Sequence, residues 1–388
     1  MDPAVVTVTL TIFAILALIF APVMTWVERK QGALMQDRVG ANRAEIFGLR
    51  AIGLFHPLAD TIKLLTKEDT IPAGADRLLH TISPFVAVFP AVVSFAIIPY
   101  GGSYEAWGTS WQLVVADLDY GVLYIFAVGS IATYGSLLAG WAGNNNWGIL
   151  GSIRVSAQMI SYEVAMGASV IGLFMIFETL RLTDMGLAQQ QTFRVLGFVE
   201  HFGWAAPGTA WVDFLKLPMW GILLQPLGFF MFLAAILAEN KRAPFDTPEA
   251  ESEIVAGYFI EYSGMKFAVF WMGEFFEVVV IAGLMTAMFL GGWSIPYLPD
   301  AVLIDGLSSA FGAHMPNMGN VLAMLIHVGV FFTKVIVLIW FQMILRWSLP
   351  RFRYDQVMNL GWKILLPLSL ANIVITALAL LLIDEIVG

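Results

Sequence analysis

Eight long apolar runs leave this chain of 388 residues very little choice of fold. They fall at 4–27, 81–100, 118–141, 155–177, 219–239, 265–290, 321–346 and 364–386. A helix rises ~1.5 Å per residue and the hydrocarbon of a bilayer is ~30 Å thick, so about 20 apolar residues make one crossing. Inside hydrocarbon every backbone N–H and C=O must be paired within the segment, which a helix does. Composition agrees, with 59% hydrophobic and 13% charged residues and a mean hydropathy of +0.79. The expectation is an all-α, polytopic membrane helical bundle: a single integral domain over 1–388 with about eight transmembrane helices. The first run lacks a basic n-region and a small-residue cleavage site, so it reads as a retained span rather than a signal peptide.

The cations set an orientation. Segment 28–80 carries Arg29, Lys30, Arg38, Arg43, Arg50, Lys63, Lys67 and Arg77. Arg154, then Lys241, Arg242 and Lys266, then Arg346, Arg351, Arg353 and Lys363 fall on the same side of an eight-span chain. That side collects 16 of the 20 basic residues, which predicts cytoplasmic basic loops and both termini on the opposite face. Segment 52–67 is too short and too charged to span. Its apolar residues recur at near-helical spacing, so it reads as an amphipathic helix in the interface. Segments 101–117 and 291–320, rich in Gly, Pro and Trp, read as loops on the far side, with a long connection at 178–218.

Several chemistries are excluded. There is no Cys, hence no thiolate-held iron–sulfur cluster and no disulfide. The five histidines, at 56, 80, 201, 314 and 327, lack metal-site spacing. No glycine loop of the dinucleotide or phosphate-binding kind occurs. A net charge of −9 disfavours nucleic acid. No Ser/His/Asp or Cys/His nucleophile arrangement is visible. The expectation is a chain without bound metal, flavin or cluster, whose electron carriers, for any redox role, belong to a partner.

What remains is ionisable groups at membrane depth. Glu163 sits mid-span, where an ionised carboxylate costs on the order of 3 kcal/mol or more. Glu274 and Glu277 share a helical face at i,i+3 in the sixth run, and Lys334 lies in the seventh. Residues 239–262 add six acids, Glu239, Asp246, Glu249, Glu251, Glu253 and Glu261, against two bases, Lys241 and Arg242. Asp246-Thr247-Pro248-Glu249 has the form of a helix start. Acids outnumber bases in the spans, so such groups either relay protons or are neutral, hydrogen-bonded core residues. A third constellation, Glu28-Arg29-Lys30 followed by Asp37, Arg38 and Arg43, reads on charge alone as a topology signal or a lipid-headgroup contact.

Four blocks carry a resemblance. WVERKQGALMQDRVGAN (26–42) with LADTIKLLTKED (58–69), GSIRVSAQMISYEVAMG (151–167), AENKRAPFDTPEAESEIVAGYFIEYSGMKFA (238–268) and LRWSLPRFRYDQ (345–356) together resemble the H subunit of respiratory complex I, called subunit 1 in mitochondria. The resemblance runs from about residue 20 to about 375. It implies a membrane-arm subunit of a proton-pumping NADH–quinone oxidoreductase in the bacterial inner membrane, non-redox itself. Quinone would be a substrate in a chamber shared with peripheral-arm subunits. Small membrane-arm subunits leading to antiporter-like subunits would be further partners, beside the lipid bilayer. Carried over by position, Arg29, Arg38, Asp60, Lys63 and Arg242 would border the quinone path or its junction. Glu163, Glu239, Asp246, Glu249, Glu251, Glu253 and Glu261 would form an acidic proton relay, and Glu28 and Arg346 also match motif positions. Two departures stand out: Gly40-Ala41-Asn42 where the family usually reads Gly-Pro-Asn, and His56-Pro57 where it reads Gln-Pro. A rival reading is the homologous membrane subunit of an energy-converting hydrogenase or formate hydrogenlyase, which needs no quinone. A stand-alone transporter would need inverted repeats, which the sequence does not display.

Overall fold

A computed structural model describes residues 22–106, 108–194, 216–247, 255–311 and 317–387. The bundle is built around two central helices. α5 (Asn146–Phe177) packs against α4 (Gly121–Ala142), α8 (Pro226–Glu239) and the C-terminal helix α12. α9 (Gly264–Phe289) packs against α3 (Arg77–Phe95) and α11 (Met318–Ser348), and touches α2 (His56–Thr66). α12 starts at Tyr354, passes through a π-helical stretch at Leu360–Leu365 and ends at Val387. In α9, 72% of the apolar window is buried, against 22% in α12, so α9 is core and α12 faces outward. Between them lie short elements: α6 (Leu182–Ala188), α7 (Gly221–Leu224) and α10 (Asp300–Phe311). Among the described residues six helices are long and apolar enough to cross a membrane, and the protein is a multi-pass membrane helical bundle.

Local signals explain the ends. Asp76 caps α3 by accepting from Leu78 N–H and Leu79 N–H, and Asn145 caps α5 by accepting from Trp147 N–H. α5 stops at Glu178, whose φ of 52° turns the chain out of the helix. Tight helix contacts use small residues: a Cβ on Gly135 of α4 would stand 2.5 Å from Ala87 N of α3.

The fifth apolar run is not one continuous helix. α7 and α8 meet at Gln225, just before Pro226, which has no N–H to continue a ladder. α8 has 14 residues, ~21 Å of rise and short of a full crossing. Gln225 fills the break, donating to Thr376 Oγ1 at 2.6 Å and accepting from Asn372 Nδ2 at 2.9 Å, both on α12. Pairing the polar break to a neighbouring helix makes it tolerable in an apolar setting.

Most of the first expected span lies outside the described residues. What is described is α1 (22–35), a helix that runs through Glu28, Arg29 and Lys30 rather than ending before them. The amphipathic segment is helical as α2, after a 3-10 turn at Ala51–Gly53. Leu58, Ile62 and Leu65 of α2 are exposed. The loops expected on the far side carry structure that apolar patterning does not signal: Ser103–Ala106 paired antiparallel with Thr109–Gln112, Thr192–Arg194 paired antiparallel with Lys216–Pro218, and α10.

Candidate functional site

The site begins in the loop that leaves α1. Gly53, at φ +87°, lies so close to Ala41 that a Cβ would collide with the Ala41 carbonyl oxygen. Only glycine permits that approach, and it folds the 38–56 loop back over the end of α1. Arg29 on α1 then pairs with Asp60 on α2 at 2.6 Å, and Lys63 reaches the same carboxylate at 3.3 Å. Behind this pair is a cavity of about 160 Å³, mostly apolar, bounded by Thr25, Pro57, Asp60, Trp271 and Met272. A neighbouring cavity of about 370 Å³ shares Thr25, Arg29, Trp271 and Phe275 with it and adds Glu28, Arg38 and His56. The departures found in the sequence thus fall here: Ala41 and His56 both line this second space. His56 Nδ1 is buried without a hydrogen-bond partner.

Glu28 forms the inner wall of that space and is held from two directions. Arg242 Nη1 donates to Oε2 at 2.7 Å, and Arg346 Nη1 reaches Oε1 at 2.7 Å. Arg242 reaches this position because α8 ends at Glu239 and Lys241 adopts φ +55°, turning the next residue inward. Its second nitrogen lies 3.7 Å from Glu274 Oε2, and its guanidinium sits 4.1 Å above the Phe275 ring. Tyr258 O–H donates to Glu274 Oε1 at 3.0 Å. Arg242 and Glu274 are both buried. A buried charge survives only when paired and hydrogen-bonded, and the alternation Arg346–Glu28–Arg242–Glu274 satisfies that condition.

One helical turn past Glu274 the arrangement changes. Glu277 on α9 and Glu239 at the end of α8 both line a cavity of about 50 Å³, walled by Pro90, Ile125, Phe126 and Met166. Glu163 on α5 is near enough to interact electrostatically with Glu239, as is Lys241, whose ammonium is also 3.5 Å from Ser136 Oγ. Three carboxylates on three helices therefore share one low-dielectric region, where their charges cannot all persist at once.

Two expected relay residues lie apart from this group. Asp246 pairs with Arg351 at 2.7 Å; burial nonetheless holds its carboxyl above the usual aspartate range, the guanidinium opposing only in part. Glu261 accepts from Asn145 Nδ2 at 2.6 Å and lines an open surface pocket with Pro72, Gly74 and Trp147. Glu249, Glu251 and Glu253 lie outside the described residues. Lys334 is not the partner of any span carboxylate: it donates to the carbonyls of Leu290, Gly292 and Ser294 at 2.7–3.0 Å, closing the end of α9. Glu274, Glu277 and Tyr258 are structural members of the site absent from the relay proposed by position. The i,i+3 acid pair in an apolar run is the sequence signal for the first two; Tyr258 has none. Among the described residues no group of three or more His, Asp or Glu is placed to hold a metal.

Residues 7–377 match the family model described as NADH dehydrogenase. The chain is 41% identical over 97% of its length to the first-numbered H subunit of the NADH-quinone oxidoreductase of Cytophaga hutchinsonii, covering 96% of that protein. It is 42% identical, again over 97% of its length, to the first-numbered H subunit of the NADH-quinone oxidoreductase of Geobacter metallireducens, covering 95% of it. The corresponding H subunit of Thermomicrobium roseum is 42% identical over 92% of this chain and 90% of that protein.

Proposed function

This chain belongs to the NADH dehydrogenase family, and we propose that it is the membrane subunit of an NADH-quinone oxidoreductase that walls the quinone chamber and passes protons inward from it. The observation that carries this reading is the continuity of the charged chain. Glu28 lines the larger cavity, and through Arg242 it reaches Glu274, one turn from the acid pair Glu277 and Glu239.

The two joined cavities suit an amphipathic quinone. The apolar part, with Trp271, Met272 and Phe275, accepts a tail and the flat face of a ring; Arg29, Arg38 and His56 offer donors to carbonyl oxygens. Reducing a quinone to its quinol takes two electrons and two protons. The electrons come from a partner, since this chain has no cysteine with which to hold a cluster. A negative charge appearing ~6 Å from a carboxylate raises the energy of its ionised form by roughly 3 kcal/mol at an effective dielectric constant near 20. That is about two pKa units, a roughly hundredfold rise in proton affinity. The carboxylates around the small cavity are the groups that would take and release the proton.

A partner is also implied by the loop after α1. Val39, Phe47, Leu49 and Ile52 are exposed there, with Leu34 in the last turn of α1, interspersed with Arg38, Arg43 and Arg50. An apolar patch of this kind on a non-membrane loop fits another subunit closing the chamber from the basic side.

The test is photolabelling of the intact complex with a short-chain azido-quinone. Labels on the peptides containing Thr25, Trp271 and Phe275, competed away by excess quinone, support the chamber. Competed labelling that falls only on other subunits would remove this chain from the quinone site.

A further inference from the structure

On the opposite membrane face lies a second group of buried titratable residues that the quinone side does not use. α3 starts on the basic side, so the hairpin after its far end, including Tyr104, lies on the other face. His327 of α11 is fully buried there. Tyr104 and His327 Nδ1 are 2.6 Å apart, and the Gly102 N–H donates to the same hydroxyl oxygen at 3.2 Å. With that oxygen already accepting, the tyrosine proton goes to Nδ1, and the neutral ring carries its own proton on Nε2. Nε2 faces Asp300 Oδ1, at the start of α10, across 3.4 Å. Neither atom makes a hydrogen bond. The other oxygen, Oδ2, is anchored by Gln190 Nε2 at 2.8 Å and Trp293 Nε1 at 3.1 Å.

We propose that His327 is a proton-binding latch that fastens α10 to the bundle from the side opposite the basic loops. The ligand is a proton from the adjoining aqueous phase. Neutral, the ring turns an uncharged Nε2–H toward Asp300 Oδ1 across 3.4 Å without closing a hydrogen bond. On gaining a proton it becomes an imidazolium facing a carboxylate, and the ion pair draws the start of α10 onto α11. Tyr104 then turns from donor to acceptor at Nδ1, so the hydroxyl and the carboxylate favour opposite protonation states. The titratable and charged groups around the ring are Tyr104 from the hairpin, Asp300 from α10 and Lys334, two turns along α11. Lys334 donates to three backbone carbonyls, and any step of its own would persist in His327→Gln, which separates the two groups. The carboxylates of the inner cavity, Glu277 of α9 and Glu239 at the end of α8, belong to a different site.

The experiment is amide hydrogen exchange of segment 297–309 in the intact complex, between about pH 5.5 and 8.5, where an imidazole changes charge. Corrected for intrinsic exchange, protection in the wild type should rise several-fold through a single step as pH falls. His327→Gln should remove the step and leave the protection seen at the alkaline end. Tyr104→Phe, which deprives the neutral ring of its donor, should move the step to higher pH by about one unit, and Asp300→Asn should move it lower. A flat wild-type profile, or a step that survives His327→Gln, overturns the latch. The wild-type profile decides first and depends on no variant; opposite shifts in Tyr104→Phe and Asp300→Asn separate titration of this ring from a general loosening of the loop.

Discussion

Two groups of inward-facing acids, centred on Glu274 and Glu277 one helical turn apart on α9, are built on opposite plans. Glu28 and Glu274 are each held by a guanidinium, and Arg242 serves both. Glu239 and Glu277 instead look into a small cavity, with Glu163 nearby; Lys241 reaches both electrostatically and Arg242 reaches Glu277, but neither makes a salt bridge with them. The first plan ties each carboxylate to a cation, so that a change of charge on either partner would break the pair. The second leaves charge adjustable, because excess acids in low dielectric must share protons among themselves. A chain that both orients a ligand and moves protons needs both plans, kept apart.

The largest effect expected from this contrast is at Arg242. Arg242→Ala leaves Glu274 without a cation and Glu28 with Arg346 alone, and breaking a buried pair typically removes about 3–5 kcal/mol. We expect little assembled complex and more than a tenfold loss of quinone turnover in what assembles, with Arg242→Lys intermediate because an ammonium cannot bridge both acids. Near-normal assembly and turnover of the Ala variant would erase the distinction between the two groups.

Glu239→Gln and Glu277→Gln should act the other way. Gln keeps shape and hydrogen bonding but cannot exchange a proton, so yield and thermal stability should hold while turnover or the proton-to-electron ratio falls several-fold. Loss of assembly with an unchanged ratio would make these acids scaffold. Glu163→Gln should give a smaller fall in the same assay, since Glu163 does not line the small cavity and acts on Glu239 from a neighbouring helix. An effect larger than that of Glu239→Gln would place it at the centre of the group instead.

The smallest effect belongs to Asp246, outside the spans. Burial raises its folded-state pKa, so its protonated form favours folding in acid, and that contribution is lost as pH rises from the ordinary aspartate value through the folded one. Asp246→Asn should therefore gain stability relative to wild type above that window and gain nothing in acid. Its partly exposed pair with Arg351 subtracts no more than about 1 kcal/mol from that gain. Thermal unfolding of the complex against pH checks the sign; a gain confined to acid would mean that Arg351, not burial, governs this carboxyl.

Much of the candidate site was legible because it is made of ionisable residues in apolar runs, where each one is conspicuous. Glu163, Glu239, Glu274, Glu277 and Lys334 all stand out on this ground, and the Arg29, Asp60 and Lys63 positions follow from the family motifs. Their partners were not legible. Lys334 stood out in the seventh run with no partner assigned, and its ammonium is satisfied by the carbonyls that end α9. Asp246 and Glu261 share a short segment with Glu239, yet the turn at Lys241 sends them to Arg351 and Asn145. Proximity in sequence is a poor guide after a helix ends, because a single left-handed residue redirects everything that follows it. Tyr258 and the Tyr104–His327–Asp300 group left no sequence signal, being single polar residues joined only across elements.

Hydrophobic length alone determined that this chain is a helical membrane protein, because hydrocarbon allows no other way to pair the backbone of a lone apolar run. The charge imbalance likewise determined that some carboxylates in the spans would lack a cation. Which acids are paired and which share a cavity was decided by packing: Arg242 reaches Glu28 and Glu274 because α1, α9 and the end of α8 converge on one point. The break at Gln225 was decided there too. Its polar groups find Thr376 and Asn372 far along the chain, a pairing of the kind that no local pattern records, since Gln225 and Thr376 are separated by 151 positions.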